Sequence, residues 1–148
     1  MKLKARISED VKAAMKARET ARLGALRLAT AAIKQREVDE RRELEDADVL
    51  AVLEKMIKQR RESVSQYQKA GRQDLVDAEQ FEIEVLQTYL PKAMTDGELA
   101  QEVSEALARL GARGPADMGR VMADLRPRVT GRADMARVSA MVKERLAG

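Results

Sequence analysis

Apolar residues recur along this chain at three- and four-residue intervals, and the pattern predicts seven helices. Residues 2–18 carry Leu3, Ile7, Val11, Ala14 and Met15 on one stripe, and Glu19 and Thr20 allow a turn after them. A second helix runs to about Arg41 through Leu23, Leu26, Ala29, Thr30 and Ile33, and the polar run Gln35 to Glu45 marks its end. A third, long helix extends to Ala70 on Val49, Leu53, Met56, Ile57, Arg60, Val64 and Tyr67, with Asp46 or Asp48 as its expected cap. Gly71 stops it. Asp74 is placed to cap a fourth helix, which reaches Leu90 through Val76, Ile83 and Leu86.

Pro91 cannot continue a helical ladder and biases Leu90 away from α geometry. The stretch Pro91–Asp96 is therefore the expected boundary between two domains, 1–92 and 93–148. Thr95 followed by Glu98 reads as a capping box. It opens a fifth helix with Leu99, Val103, Ala106, Leu107 and Leu110 inward and Gly111 at its end. Gly114-Pro115 starts the sixth, Pro127 is expected to end or kink it, and Asp134 caps the seventh. The expected fold is all-α: an elongated four-helix N-terminal bundle, then a compact three-helix C-terminal module.

Composition narrows the chemistry. Among 148 residues there is no cysteine and no histidine, and only Tyr67, Phe81 and Tyr89 are aromatic. Disulfides, thiolate nucleophiles, imidazole bases and histidine-ligated metals are excluded. The serines lack a base, and carboxylate pairs such as Glu79 and Glu82 read as surface partners of Lys or Arg, so no catalytic set, metal or cofactor is expected. No apolar run suits a membrane span, and a cytoplasmic protein is the expectation.

Charge is unevenly spread. Residues 1–42 carry twelve Lys/Arg and six Asp/Glu, whereas residues 43–90 carry six and eleven. These halves are expected to attract each other. Residues 109–137 hold seven Arg against three Asp, with no equally sized acidic neighbour expected. Within this last stretch Met118, Val121, Met122 and Leu125 share a helical face, with Gly119 read as lying inside the helix where a crossing helix or a ligand comes close. The candidate RNA-binding set is Gly119, Arg120, Arg126, Arg128, Gly131, Arg132 and Arg137. Arginine's planar fork suits phosphate oxygens. With no aromatic residue in the tail to stack bases, any RNA contact should read shape and phosphate.

Several stretches together resemble the YqeY family. They are Lys58-Gln59-Arg60 with Ser63, Ala70-Gly71-Arg72 with Asp74-Leu75, and Glu82-Ile83 with Leu86 and Tyr89-Leu90-Pro91. Asp117-Met118-Gly119 with Val121-Met122 and Gly131-Arg132-Ala133-Asp134 follow. Five such stretches, in this order and at these separations, are specific. The C-terminal third is also similar to the tail of the B subunit of tRNA-dependent amidotransferase. That resemblance implies a relative of the part that helps recognise the tRNA body, without the catalytic machinery. A carbon–nitrogen ligase description with glutamine as amido donor would then mark ancestry. The expected function is a non-catalytic, tRNA-associated accessory of translation. The alternative is a protein–protein adaptor docking on an aminoacyl-tRNA synthetase or amidotransferase component, and a free-standing amide-transfer enzyme comes last.

Overall fold

A computed structural model describes residues 1–147, and among them every regular element is helical. The elements are α1 (Leu3–Lys16), α2 (Thr20–Glu40), α3 (Asp46–Lys69), α4 (Gln73–Gln87), α5 (Asp96–Leu110), α6 (Met118–Val129) and α7 (Met135–Ala147), with one 3-10 turn, Pro115–Asp117, before α6. The chain divides into two compact units, Met1–Leu90 and Pro91–Gly148.

Four helix ends close with the same hydrogen bond, from an N–H to the carbonyl five residues earlier: Glu19 to Ala14, Arg42 to Glu37, Arg72 to Tyr67 and Ala112 to Leu107. This closure needs a left-handed residue at the exit, normally glycine. Gly71 and Gly111 meet it with φ of 68° and 61°. Arg18 and Arg41 meet it with φ of 58° and 53° despite their Cβ atoms. The first turn of the chain is thus made at Arg18, just before the expected Glu19 and Thr20.

In the first unit the core joins Ile7 and Ala14 of α1 to Leu26, Ala29 and Ile33 of α2. Val49, Val52, Leu53, Met56 and Ile57 of α3 and Ile83, Val85 and Leu86 of α4 join them, with Ala25 of α2 and, from the connections, Leu44 and Tyr89. Full burial of each large aliphatic side chain contributes about 1.5–3 kcal/mol. α3 and α4 form a hairpin about Gly71, and the half-buried pair Arg60–Glu82, 2.6 Å apart, straddles it at equal sequence distance. The charge asymmetry of the two halves appears as ion pairs: Lys2–Glu45, Lys4–Glu43 and Arg42–Asp48.

Two expected caps act differently. Asp48 accepts from the Glu45 N–H at 3.0 Å, so it closes α3 from inside the first turn, while Asp46 accepts from the Leu3 N–H at 2.9 Å. Asp74 sits in the first turn of α4 and pairs with Arg72 at 3.0 Å, because the helix already starts at Gln73.

The second unit buries Leu99, Val103 and Ala106 of α5, Val121, Leu125 and Val129 of α6, and Val138, Val142 and Leu146 of α7. α6 does not stop at Pro127 but runs on to Val129. The proline falls in the last turn, where its missing N–H leaves only the Ala123 carbonyl unpaired, and that residue is exposed to water. Val129 meanwhile keeps the four-residue register of Val121 and Leu125.

Candidate nucleic-acid interface

The seven candidate residues all lie in the second unit, on α6, in the turn after it, and on α7. Gly119 is the second residue of α6, exposed, with open space where a Cβ would be. Among the described residues none outside its own helical turn comes within 4 Å of that position. Its place in the first turn, where N–H groups are free in any case, removes the need for a close neighbour within the chain. Gly131 is the constrained glycine: φ is 80°, and the residue is buried in the α6–α7 turn.

The arginines fall into two groups. Arg132 and Arg137 face the start of α5. Arg132 donates from Nε to the Lys92 carbonyl at 3.0 Å and lies 3.5 Å from Glu98, and Arg137 pairs with Asp96. The Arg132 carbonyl in turn accepts the Met94 N–H at 2.8 Å. Glu98 is held below the usual carboxylate range, first by the Thr95 backbone N–H and next by the Thr95 hydroxyl, with Arg132 adding a smaller effect.

The other group surrounds the acids of α6. Arg120 donates to the Leu110 carbonyl at 3.2 Å and to Asp117 at 2.9 Å. The Arg113 backbone N–H, then the Arg120 guanidinium and the Gly114 N–H, hold Asp117 down to about 2. Asp124 takes Arg109 at 2.5 Å and leaves Arg128 at 3.9 Å, a loose contact. Arg126 is exposed and makes no side-chain hydrogen bond or ion pair among the described residues.

This arrangement corrects one expectation. Residues 93–108 carry Asp96, Glu98, Glu102 and Glu105 and no Lys or Arg, an acidic counterweight equal to the basic excess of 109–137. The fold lays its first two members against Arg137 and Arg132. Those two arginines are thus engaged at the start of α5. Arg126, Arg128 and Arg113 are exposed, and of these Arg126 and Arg113 lack an ion pair among the described residues. Arg113 was outside the expected set, and its place just before Gly114-Pro115 was the available signal.

Among the described residues no three carboxylates converge as a metal would need, and no helix is long and apolar enough to cross a membrane.

Residues 4–146 match the family model described as YqeY, Yqey-like protein. Curated relatives include "Altered inheritance of mitochondria protein 41, mitochondrial" from three fungi. The Eremothecium gossypii protein is 33% identical over 82% of this chain and 68% of its own length. That of Lachancea thermotolerans is 30% identical over 76% and 62%, and that of Pyrenophora tritici-repentis 31% over 83% and 71%. The chain thus spans about two thirds of the length of these relatives. Their names overturn the expected cytoplasmic placement. A helical composition without a long apolar run fits any aqueous compartment, so it could not assign one.

Proposed function

This chain belongs to the YqeY family, and from that premise we propose that it is a non-catalytic accessory protein whose second unit meets the body of a folded tRNA. The supporting observation is that Arg113, Arg126 and Arg128 are exposed, that Arg113 and Arg126 form no ion pair among the described residues, and that Arg128 has only the loose 3.9 Å contact with Asp124. Guanidinium forks held on a helix and its leading turn can each take a phosphate oxygen pair. The absence of aromatic residues from this unit suits a ligand recognised by backbone shape rather than by stacked bases. The similarity of this unit to the amidotransferase B-subunit tail suggests tRNA among folded RNAs. Arg132 and Arg137 would support the surface from behind, and Gly119 would let a backbone approach α6 without a side chain in the way.

The test is affinity for bulk folded tRNA across low and moderate salt, with a short unstructured RNA alongside. Arg113→Glu, Arg126→Glu and Arg128→Glu together should abolish binding. Each single change to Ala should flatten the logarithmic salt slope by about one. Lys55→Glu, Lys58→Glu and Arg61→Glu, exposed on α3, are the control set. If binding shows no salt dependence, or if the control set matters equally, the RNA reading fails and the adaptor reading on a synthetase or amidotransferase component takes its place.

A further inference from the structure

The buried side of α2 faces the core, yet its opposite side is also largely apolar. Ala21, Gly24, Leu28, Ala31, Gln35 and Val38 are all exposed, and they follow one another at alternating intervals of three and four. Leu28 is 48% and Val38 64% exposed, unusual for large aliphatic residues on so regular a stripe. Such spacing keeps one line of a helix facing a partner helix, as in a coiled-coil seam. Gly24 has open space where a Cβ would stand, so no contact inside the chain explains a glycine in this helix. At its far end the stripe runs into a shallow groove lined by Lys4, Lys34, Glu37, Val38, Arg42 and Glu43.

The flank says what fits. Arg27, Lys34 and Arg41 border the stripe at seven-residue spacing, exposed, and none forms an ion pair among the described residues. Most other cations of this unit's first half are already paired: Lys2, Lys4, Arg22, Arg36 and Arg42 each meet a carboxylate. Two copies packed antiparallel through this stripe would set the three cations of one against those of the other.

We propose that the exposed face of α2 is a docking seam for an acidic amphipathic helix of another protein, its apolar residues against Leu28, Ala31 and Val38 and its carboxylates against Arg27, Lys34 and Arg41. Ala21, Gly24 and Ala31 let the partner backbone come close, Leu28 and Val38 supply the apolar area, and the cations set charge sign and orientation. The seam lies in the first unit and does not depend on the RNA reading of the second.

The experiment uses the full chain and two labelled synthetic helices of about three heptads, leucine at a and d, with glutamate flanks in one and lysine flanks in the other. Fluorescence anisotropy should give the glutamate helix at least about tenfold tighter binding. Leu28→Glu should abolish it, and Arg27→Glu with Lys34→Glu should reverse the preference. These side chains are exposed, so circular dichroism of the variants should match the parent. Equal binding of both peptides, binding of neither, or binding that survives Leu28→Glu overturns the proposal. It is also overturned if sedimentation shows self-association that Leu28→Glu removes, or if the Arg27/Lys34 variant loses tRNA while keeping the glutamate helix.

Discussion

Replacing Tyr89 by Phe removes one oxygen from a side chain that is 4% exposed, and the consequence can be worked out. The Tyr89 hydroxyl donates to Asp10 of α1 at 2.5 Å, and the Arg6 guanidinium sits 4.9 Å from the ring centroid. The turn after α4 is thereby tied to α1. A hydrogen bond to a charged acceptor contributes about 1.5–3 kcal/mol. Asp10 is half-buried, so water takes over part of the lost donation, and Tyr89→Phe should cost about 1–2 kcal/mol. The ring and its Arg6 contact remain. Asp10→Ala should cost a similar amount, and the double variant should reveal a coupling of about 1–2 kcal/mol.

The alkaline arm has a defined sign. Burial first, and the Asp10 acceptor next, push the Tyr89 phenol from its ordinary 10.0 up to about 12. A group whose value is raised on folding contributes stability that is whole below 10 and is lost as pH rises through 12. That gap corresponds to roughly 3 kcal/mol at most. Urea unfolding followed by circular dichroism should therefore show wild type losing stability faster than Tyr89→Phe from about pH 10 upward. A coupling below about 0.3 kcal/mol, or identical alkaline profiles, would refute the reasoning.

Thr95→Ala removes the hydroxyl that accepts the Glu98 N–H at 3.1 Å and should lower stability by about 1 kcal/mol, read as a shift in urea midpoint. The two glycines of the candidate interface should respond in opposite directions to Ala. Gly119→Ala projects into open space and should stabilise by about 0.4–1 kcal/mol, whereas Gly131→Ala must hold φ near 80° and should cost about 1–2 kcal/mol. Thermal unfolding separates them. Arg132→Ala frees the Lys92 carbonyl and should speed tryptic cleavage after Lys92, while Arg126→Ala should leave that cut unchanged.

Helical periodicity carried the all-α fold because each helix buries one face, and a buried face writes itself as a three-four pattern. What it missed were apolar residues outside such runs. Leu44 stands alone in a polar connection yet is 2% exposed, its N–H donating to Glu37 at 2.9 Å. Met94 is likewise single in a loop and is buried beside the Arg132 backbone. Val129 was hidden behind Pro127, a rule about helix interiors applied to a last turn. Arg18 and Arg41 carry no turn signal because their left-handed geometry is imposed by the helix-closing bonds around them. In the candidate interface, the clustering of arginines was legible, but their partners were not. Asp96 and Glu98 lie far back along the chain from Arg137 and Arg132, and only the packing of the start of α5 against α7 and the turn before it brings them together. Sequence counted charges; the fold decided which were already neutralised.

The link between Lys92, Met94 and Arg132 has a mechanical meaning. Arg132 grips the incoming strand twice, with its guanidinium on one carbonyl and its own carbonyl on the Met94 N–H. A pull applied to the chain at Pro91 is therefore delivered to the α6–α7 turn before it can unwind the first turn of α5. Two hydrogen bonds loaded together across this closure must give way at once, whereas a helix end peels one bond at a time. The unit should thus resist threading from its N-terminal side, as in an unfolding translocase, more stubbornly than from α7, and Arg132→Ala should erase that asymmetry.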